Sequence, residues 1–330
     1  MRLTGHFIPL LAATTLCLLV TEPAYSTCGS ANCTLVTGTQ ESLPAAGHGV
    51  IDLSYRFIPM DQKRHGDSST NTVLTPGINF ETGEIEPDHH SELRTDNELV
   101  QMDITYGLTE RLSTSISLPL INNRRHEHIH MEDDTFSNAD GSSGFGDVRV
   151  NFKYVILQSL KQFLTAGAGV KAPTGEYRLR DSEGAINEPT IMPGTGSWDG
   201  LISVFYSYQI IPHQFSLFAS GSYQANTENS LKYRFGDTFL ANAGLNYRLD
   251  PKLMSSLQIN YRNSGRDRFI GMDVPSTGGT WIYLTPGIAL QTGESSSVYM
   301  HVQLPVYQYV NDSNLVPRYA LMIGASHSFE

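Results

Sequence analysis

Leu99-Val-Gln-Met-Asp-Ile-Thr-Tyr-Gly-Leu-Thr-Glu-Arg-Leu-Ser-Thr-Ser-Ile-Ser-Leu-Pro-Leu120 holds two runs of alternating character. Val100, Met102, Ile104 and Tyr106 are apolar, and Gln101, Asp103 and Thr105 between them are polar. After Gly107-Leu108-Thr109-Glu110 the alternation resumes, with Leu112, Ile116, Leu118 and Leu120 against Arg111, Ser113, Ser115 and Ser117. Thr114 is the one weak position on the apolar side. A period of two places one set of side chains on each face of a strand. A short Gly-containing link between two such runs is a hairpin. Repeated about six times and closed on itself, this unit predicts an all-β transmembrane antiparallel barrel of about twelve strands, apolar outside and polar inside.

The ends of the chain set the compartment. Arg2 precedes a mostly apolar run from Phe7 to Val20, and Ala24-Tyr25-Ser26 offers small residues at a cleavage site. Residues 1–26 therefore read as a secretory signal peptide. The run is short for a spanning helix, which needs ~20 residues. Residues 27–47 are small and polar and read as a periplasmic arm or partial plug, with the barrel over 48–330. Cys28 and Cys33 fall in that arm, where an oxidising compartment favours a local disulfide; a metal or redox role is the alternative. The formal net charge of −11 argues against a nucleic-acid partner.

Working outward from the opening hairpin, Ile51, Leu53, Tyr55 and Phe57 alternate with Asp52, Ser54 and Arg56, predicting a strand over Gly49 to Phe57. A long polar loop is expected from about 60 to 97, and a second from Asn122 to about Gly146. In the next strand Val148, Val150, Phe152 and Tyr154 face one way, and Arg149, Asn151 and Lys153 the other. A basic residue at the lipid midplane costs ~2–4 kcal/mol, so the polar face must point inward. A one-residue slip would put both charges in lipid, which specifies the register. Further strands are expected near Phe163 to Ala172, Trp198 to Gln209, Gln214 to Gln224, Phe239 to Arg248, Leu257 to Arg262, Thr280 to Leu290, Ser297 to Gln308 and Arg318 to Phe329. Links after odd strands are long and links after even strands short, the pattern of extracellular loops and periplasmic turns. Tyr106, Tyr154, Tyr208, Tyr247 and Phe329 sit near the turn ends of outward faces, as an interfacial aromatic girdle requires.

Several of these segments together resemble the outer-membrane family named for the meta-pathway of phenol degradation. The carrying residues are Tyr106-Gly-Leu-Thr-Glu-Arg-Leu112, Gly144-Phe-Gly-Asp-Val148, Gly169-Val-Lys-Ala-Pro-Thr-Gly175, Gly194-Thr-Gly-Ser-Trp-Asp-Gly200 and Gly278-Gly-Thr-Trp-Ile-Tyr-Leu-Thr-Pro-Gly287. The resemblance implies a barrel in a Gram-negative outer membrane and suggests passive transport of a small-molecule solute, and it supplies no catalytic residues. Gly324-Ala-Ser-His-Ser-Phe329 is similar to the terminal strand signal read by barrel-insertion machinery, although this chain ends one residue later, at Glu330.

Two sets of candidate residues follow. Asp52, Arg56, Asp103, Arg149, Lys153, Arg248, Arg262 and Arg318 are expected in the lumen, with Arg111 near a turn. They form either a weakly anion-preferring constriction or a mutually neutralising salt-bridge network that plugs the barrel. Twelve strands lie between a barrel filled by side chains and one holding an aqueous channel, so strand number leaves both open. His126, His128 and His130 alternate with Glu127 and Ile129, and in an extended chain they share one face about 6.5–7 Å apart. Imidazoles suit borderline divalent metals; a solvated extracellular loop is the alternative. His89 and His90 could join such a site if the two loops meet. No nucleotide-binding or covalent-cofactor motif is present, and cofactors are expected to be none. A structural or adhesive barrel is the competing class. A hydrolase is a weaker one, since the only His and Ser spaced as in barrel phospholipases, His89 and Ser91, lie in an expected loop.

Overall fold

The computed structural model describes residues 43–131 and 134–330. Twelve long strands form one antiparallel wall. They are β1 Gly49–Gly66, β2 Glu84–Gly107, β3 Leu112–His130, β4 Val148–Gln158, β5 Gln162–Ala172 and β6 Asp199–Ile211. The ring continues with β7 Phe215–Ala225, β8 Thr238–Arg248, β9 Leu253–Ser264, β10 Gly279–Gln291, β11 Ser296–Pro317 and β12 Ala320–Phe329. Each strand pairs with its neighbours in sequence. β1 pairs with β2 from Gly49 opposite Tyr106 to Met60 opposite Thr95, and with β12 from Gly49 opposite Phe329 to Phe57 opposite Leu321. That double pairing closes the ring, so the wall has no free edge.

Alternation works as the residues require. On β1, Asp52, Ser54 and Arg56 are 3%, 1% and 3% exposed, while Ile51, Leu53 and Tyr55 are 38%, 49% and 37% exposed. Gln101, Asp103 and Thr105 of β2 are buried inside, and Tyr106, Tyr154 and Tyr247 lie exposed outside near the turn ends. The links 108–111, 159–161, 212–214, 249–252 and 292–295 are short and lie at one end of the barrel; the longer links after β1, β3, β5, β7 and β9 lie at the other, where β11 passes into β12 through residues 318–319.

The wall is taller than the alternation predicts on its first strands. β1 runs on to Gly66, β2 begins at Glu84, and β3 continues to His130, where long loops are expected. These extensions are polar on the outside. Arg94 pairs with Asp96 at 2.8 Å, and Arg125 with Glu98 at 3.7 Å, on the outward face of β2 and β3. Charges there place the hydrocarbon edge near Val100 and Ile121. Above it, water replaces lipid, and the period-two signal of apolar residues fades while the backbone ladder persists. β11 likewise extends past Gln308 and reverses near Asp312 (φ 50°) before descending along β1, where a loop is expected.

Two bulges in β2 and β3 change which residues face inward. Val100 opposes Ile121 but Gln101 opposes Pro119, leaving Leu120 extra. Glu92 opposes His128 but Arg94 opposes Glu127, leaving Leu93 extra. An extra residue shifts the alternation by one. Ser113 and Ser117 therefore face inward below the β3 bulge, while Asn122, Arg124, His126 and His128 are buried above it.

The extracellular links fold back rather than standing free. Leu74–Asn79 pairs with the top of β2, and the Val73 carbonyl accepts the Glu92 amide at 2.8 Å. Val73 joins Ile58, Met60, Leu99, Trp281 and Val316 in an apolar cluster at the mouth. The links after β7 and β9 form a small sheet from Tyr233–Arg234, Arg268–Phe269 and Met272–Asp273. Its Tyr233, Phe269 and Val274 pack against Ile78 and Phe80, so the links share a core over the barrel mouth.

At the opposite rim, Ala46 bridges to Gly107, and the Gly107 amide donates to the His48 carbonyl at 2.9 Å. The expected signal peptide, Cys28, Cys33 and most of the arm over 27–47 lie outside the described residues. Phe152 is half exposed on the lipid face, midway along β4. Phe152→Arg is expected to destabilise the refolded barrel by ~2–4 kcal/mol, measured by urea unfolding in lipid; an unchanged midpoint would contradict a lipid-facing outer surface.

Candidate functional site

The lower lumen is a chamber of about 160 Å³ lined in part by Asp52, Asp103, Arg149 and Lys153. Its carboxylates are held by neutral donors: the Tyr299 hydroxyl donates to Asp52 at 2.7 Å, Gln101 Nε2 donates to Asp103 at 2.7 Å, and the Ser117 hydroxyl also donates to Asp103. Arg56 is buried inside β1, and Arg262 lies over the Trp281 ring at 5.7 Å.

Arg248 and Arg318 do not line the lumen. Arg248 is exposed at the periplasmic rim, where its guanidinium donates to the carbonyls of His213 and Pro251. Its strand parity is that of an inward residue, but its height places it below the chamber. The Arg318 side chain is 59% exposed and bonds Asp61 at 2.5 Å. Asp61 is the extra residue of a bulge in β1, and Arg318 sits at the bend before β12, so local alternation fails for both.

Above the chamber, the link over 173–198 folds into the barrel. Lys171, 2% exposed, is the knot that holds it. Its Nζ lies 3.2 Å from Asp147 and also bonds Asp199 and the Thr195 hydroxyl. Asp147 in turn accepts the amides of Gly175 at 3.0 Å and Thr195 at 2.9 Å. A Cβ on Gly194 would sit 2.5 Å from the Gly175 carbonyl carbon, so only glycine permits this crossing. The link then leans on β3: Asn122 donates to the Pro193 carbonyl at 2.8 Å, and Arg124 donates to the Ile191 carbonyl at 2.8 Å and to Met192. Three motif segments, Gly144–Val148, Gly169–Gly175 and Gly194–Gly200, thus meet at one buried ammonium.

The extracellular mouth opens into a cavity of about 510 Å³ with histidines along one side. The bulges turn His126 and His128 of β3 and His90 of β2 toward it, with Glu92 of β2 buried beside His126. Ring centroids of His90 and His128 are 4.0 Å apart, and those of His128 and His130 are 4.6 Å apart. His90 Nδ1 bonds Glu188 of the infolded link at 2.9 Å. Ligand atoms of His90, His128 and His130 all lie within 4.8 Å of one another, as do those of His90, Glu92 and Glu188. His126 stands outside the first trio; its Nδ1 is bonded to the Thr95 hydroxyl at 3.0 Å, and His90 takes its place. This cluster lies above the hydrocarbon edge. Burial and the neighbouring imidazoles push His128 down to about 3, so its ring is neutral. Burial raises the Glu188 carboxyl, but the His90 hydrogen bond and the nearby rings outweigh it and hold the group below its ordinary value.

Residues 64–312 match the family model described as "Putative MetA-pathway of phenol degradation". The chain belongs to that family. The barrel is similar to that of an outer membrane channel from Pseudomonas putida F1, which is 14% identical with a TM-score of 0.63, over 90% of this chain and 100% of that one. At that identity the likeness shows the fold. The KdgM porin is 8% identical with a TM-score of 0.41, over 84% of this chain and 99% of its own. A toluene transporter from P. putida is 10% identical with a TM-score of 0.41, over 86% of this chain and 90% of its own. No curated protein sequence matches the chain.

The sequence reading left Lys171, Asp199, Asp140 and Glu188 unassigned. Lys171 was within reach: Gly167, Gly169 and Lys171 share a face of β5, the one opposite the exposed Val170. Removing the ammonium strands two buried carboxylates. Lys171→Met is expected to cost ~3–5 kcal/mol in urea unfolding and to expose Arg178 and Arg180 of the link to trypsin. Wild-type stability with a protected link would show that the knot does not hold the loop.

Proposed function

We propose that this family member is a passive outer-membrane channel for small solutes. The observation that carries the reading is the two-sided closed wall: an apolar exterior around a lumen with Asp52, Asp103, Arg149 and Lys153 lining a chamber beneath an infolded link. A buried polar lining gives a solute partners to replace its water, and rings of charge set which ions pass. The lumen cations Arg56, Arg149, Lys153 and Arg262 outnumber Asp52 and Asp103, which favours anions weakly. The infolded link narrows the path between Arg124 and the knot at Lys171, which favours small solutes.

Flow through such a channel is expected to follow the concentration gradient. The family and the barrel support transport over hydrolysis. Structural or adhesive use of the barrel would leave it without conductance, and that outcome separates the two classes.

Planar-bilayer recordings test the proposal. Wild-type protein is expected to conduct with a modest anion preference. Arg149→Gln combined with Lys153→Gln is expected to move the reversal potential toward cation preference while conductance persists. Silence from correctly folded protein would remove the channel reading; unchanged selectivity in the double variant would remove the charged chamber as its filter.

A further inference from the structure

The histidine cluster lies apart from the charged chamber, and solute passage through that chamber does not explain it. Five imidazoles gather at the mouth, and several of their ring nitrogens are buried with no hydrogen-bond partner: Nδ1 of His89, Nε2 of His90, Nε2 of His126 and both nitrogens of His128. Leaving such groups unsatisfied is costly. A protein core would ordinarily pair them with carbonyls or hydroxyls, as Thr95 does for one nitrogen of His126. Here Nε2 of His126 and Nε2 of His128 have only the more distant carboxylates of Glu92 at 3.4 Å and Asp140 at 3.5 Å, and the rings crowd together beside a roomy cavity.

We propose that His90, His128 and His130 bind a divalent first-row transition cation, with Glu188 supplying a carboxylate, and that the bound ion ties the infolded link to the barrel wall. The donor set decides the class of ion. Three imidazoles and a carboxylate suit zinc, nickel or copper, whereas calcium and magnesium want oxygen ligands. Zinc binds histidine at about 2.0–2.1 Å in tetrahedral sites; the ligand atoms of the three imidazoles lie within 4.8 Å of one another, and Glu188 Oε1 lies 2.9 Å from Nδ1 of His90, the member it shares with them.

The surroundings match what metal-bound histidines need. Asp140 lies 3.5 Å from His128, placed to orient the ring from outside the ligand set. Asp140 is itself anchored by the Ser182 amide at 2.8 Å and the Ser137 hydroxyl. Asn187 donates to the Asp140 carbonyl at 2.7 Å, which fixes the residue before Glu188. Two neighbouring strands and the infolded link therefore each supply a ligand, and an ion joining them resists withdrawal of the link. Pro193 and Ile191, a few residues beyond Glu188, are the ones that lean on Asn122 and Arg124. Any effect of the ion on solute flow rests on the channel reading above; binding and loop protection do not.

The test uses the full chain refolded in detergent. Calorimetric titration with zinc chloride is expected to show one site. His128→Ala with His130→Ala is expected to weaken it at least about 10-fold, the lower bound seen even for groups outside the ligand shell. Glu188→Gln, which changes one atom in a loop and leaves the wall intact, is expected to weaken it in the same direction. His65→Ala, at a histidine elsewhere on the rim, is the control and should bind as wild type. Zinc is also expected to slow tryptic cleavage at Arg178 and Arg180 in wild type and not in the His128/His130 variant. Equal affinity in wild type and both ligand variants, or no binding by wild type, overturns the site. Zinc binding without protection of the link overturns the tie. In bilayers, zinc on the extracellular side is expected to reduce wild-type conductance and spare the variant; protein that binds zinc but never conducts would refute the channel and leave the metal site standing.

Discussion

Backbone amides facing hydrocarbon have no water to turn to, so every one on the wall must find its partner within the chain. β1 meets that demand on both sides at once, laddered to β2 on one flank and to β12 on the other. Closure then dictates the side chains. With the ladder complete, each residue has only two directions available, and charged groups such as Arg149 and Lys153 can tolerate only one of them. The ring and the alternation support each other: a slip in register would carry those cations into lipid, and an apolar inner face would leave the lumen without hydration.

Turning charge inward creates a second problem, because much of the interior is shielded from bulk water. Lys171 shows one solution. A buried ammonium beside a single carboxylate gains little over its desolvation; here two carboxylates and a hydroxyl surround it, and one of those carboxylates also collects two loop amides. The result is a folded-in link whose carbonyls are taken up by Asn122 and Arg124. Asp52 accepts from the Tyr299 hydroxyl, and Asp103 from the Gln101 amide and the Ser117 hydroxyl. The lumen therefore holds separate cavities rather than one wide pore, and the infolded link shapes them from above.

The bulges at Leu120 and Leu93 connect these two levels. One residue added to a strand changes nothing in the ladder beyond its own position, yet it exchanges inside for outside along everything that follows. Because neighbouring strands each carry one, the imidazoles of β3 and of β2 arrive on the same side of the wall at the same height. A cluster of that density needs both shifts; with either one missing, His90 or His128 would point to solvent.

Local alternation determined the transmembrane part of this protein from sequence. The period of two, the strand count and the inward placement of Asp52, Arg56, Asp103, Arg149, Lys153 and Arg262 all follow from residues a few positions apart, because lipid on one side and water on the other sort side chains strand by strand. Arg248 and Arg318 show the limit of that rule: parity says nothing of height along the barrel, and a bend or bulge cancels it. The tops of β1, β2 and β3 were illegible for a related reason, since water bathes their outer face and no apolar residue is required there. Which distant residues meet was decided only by tertiary structure. Lys171 finds Asp199, and His90 finds His128 and Glu188, through loop paths and register shifts whose energetics are summed over the whole ring rather than written in any one stretch.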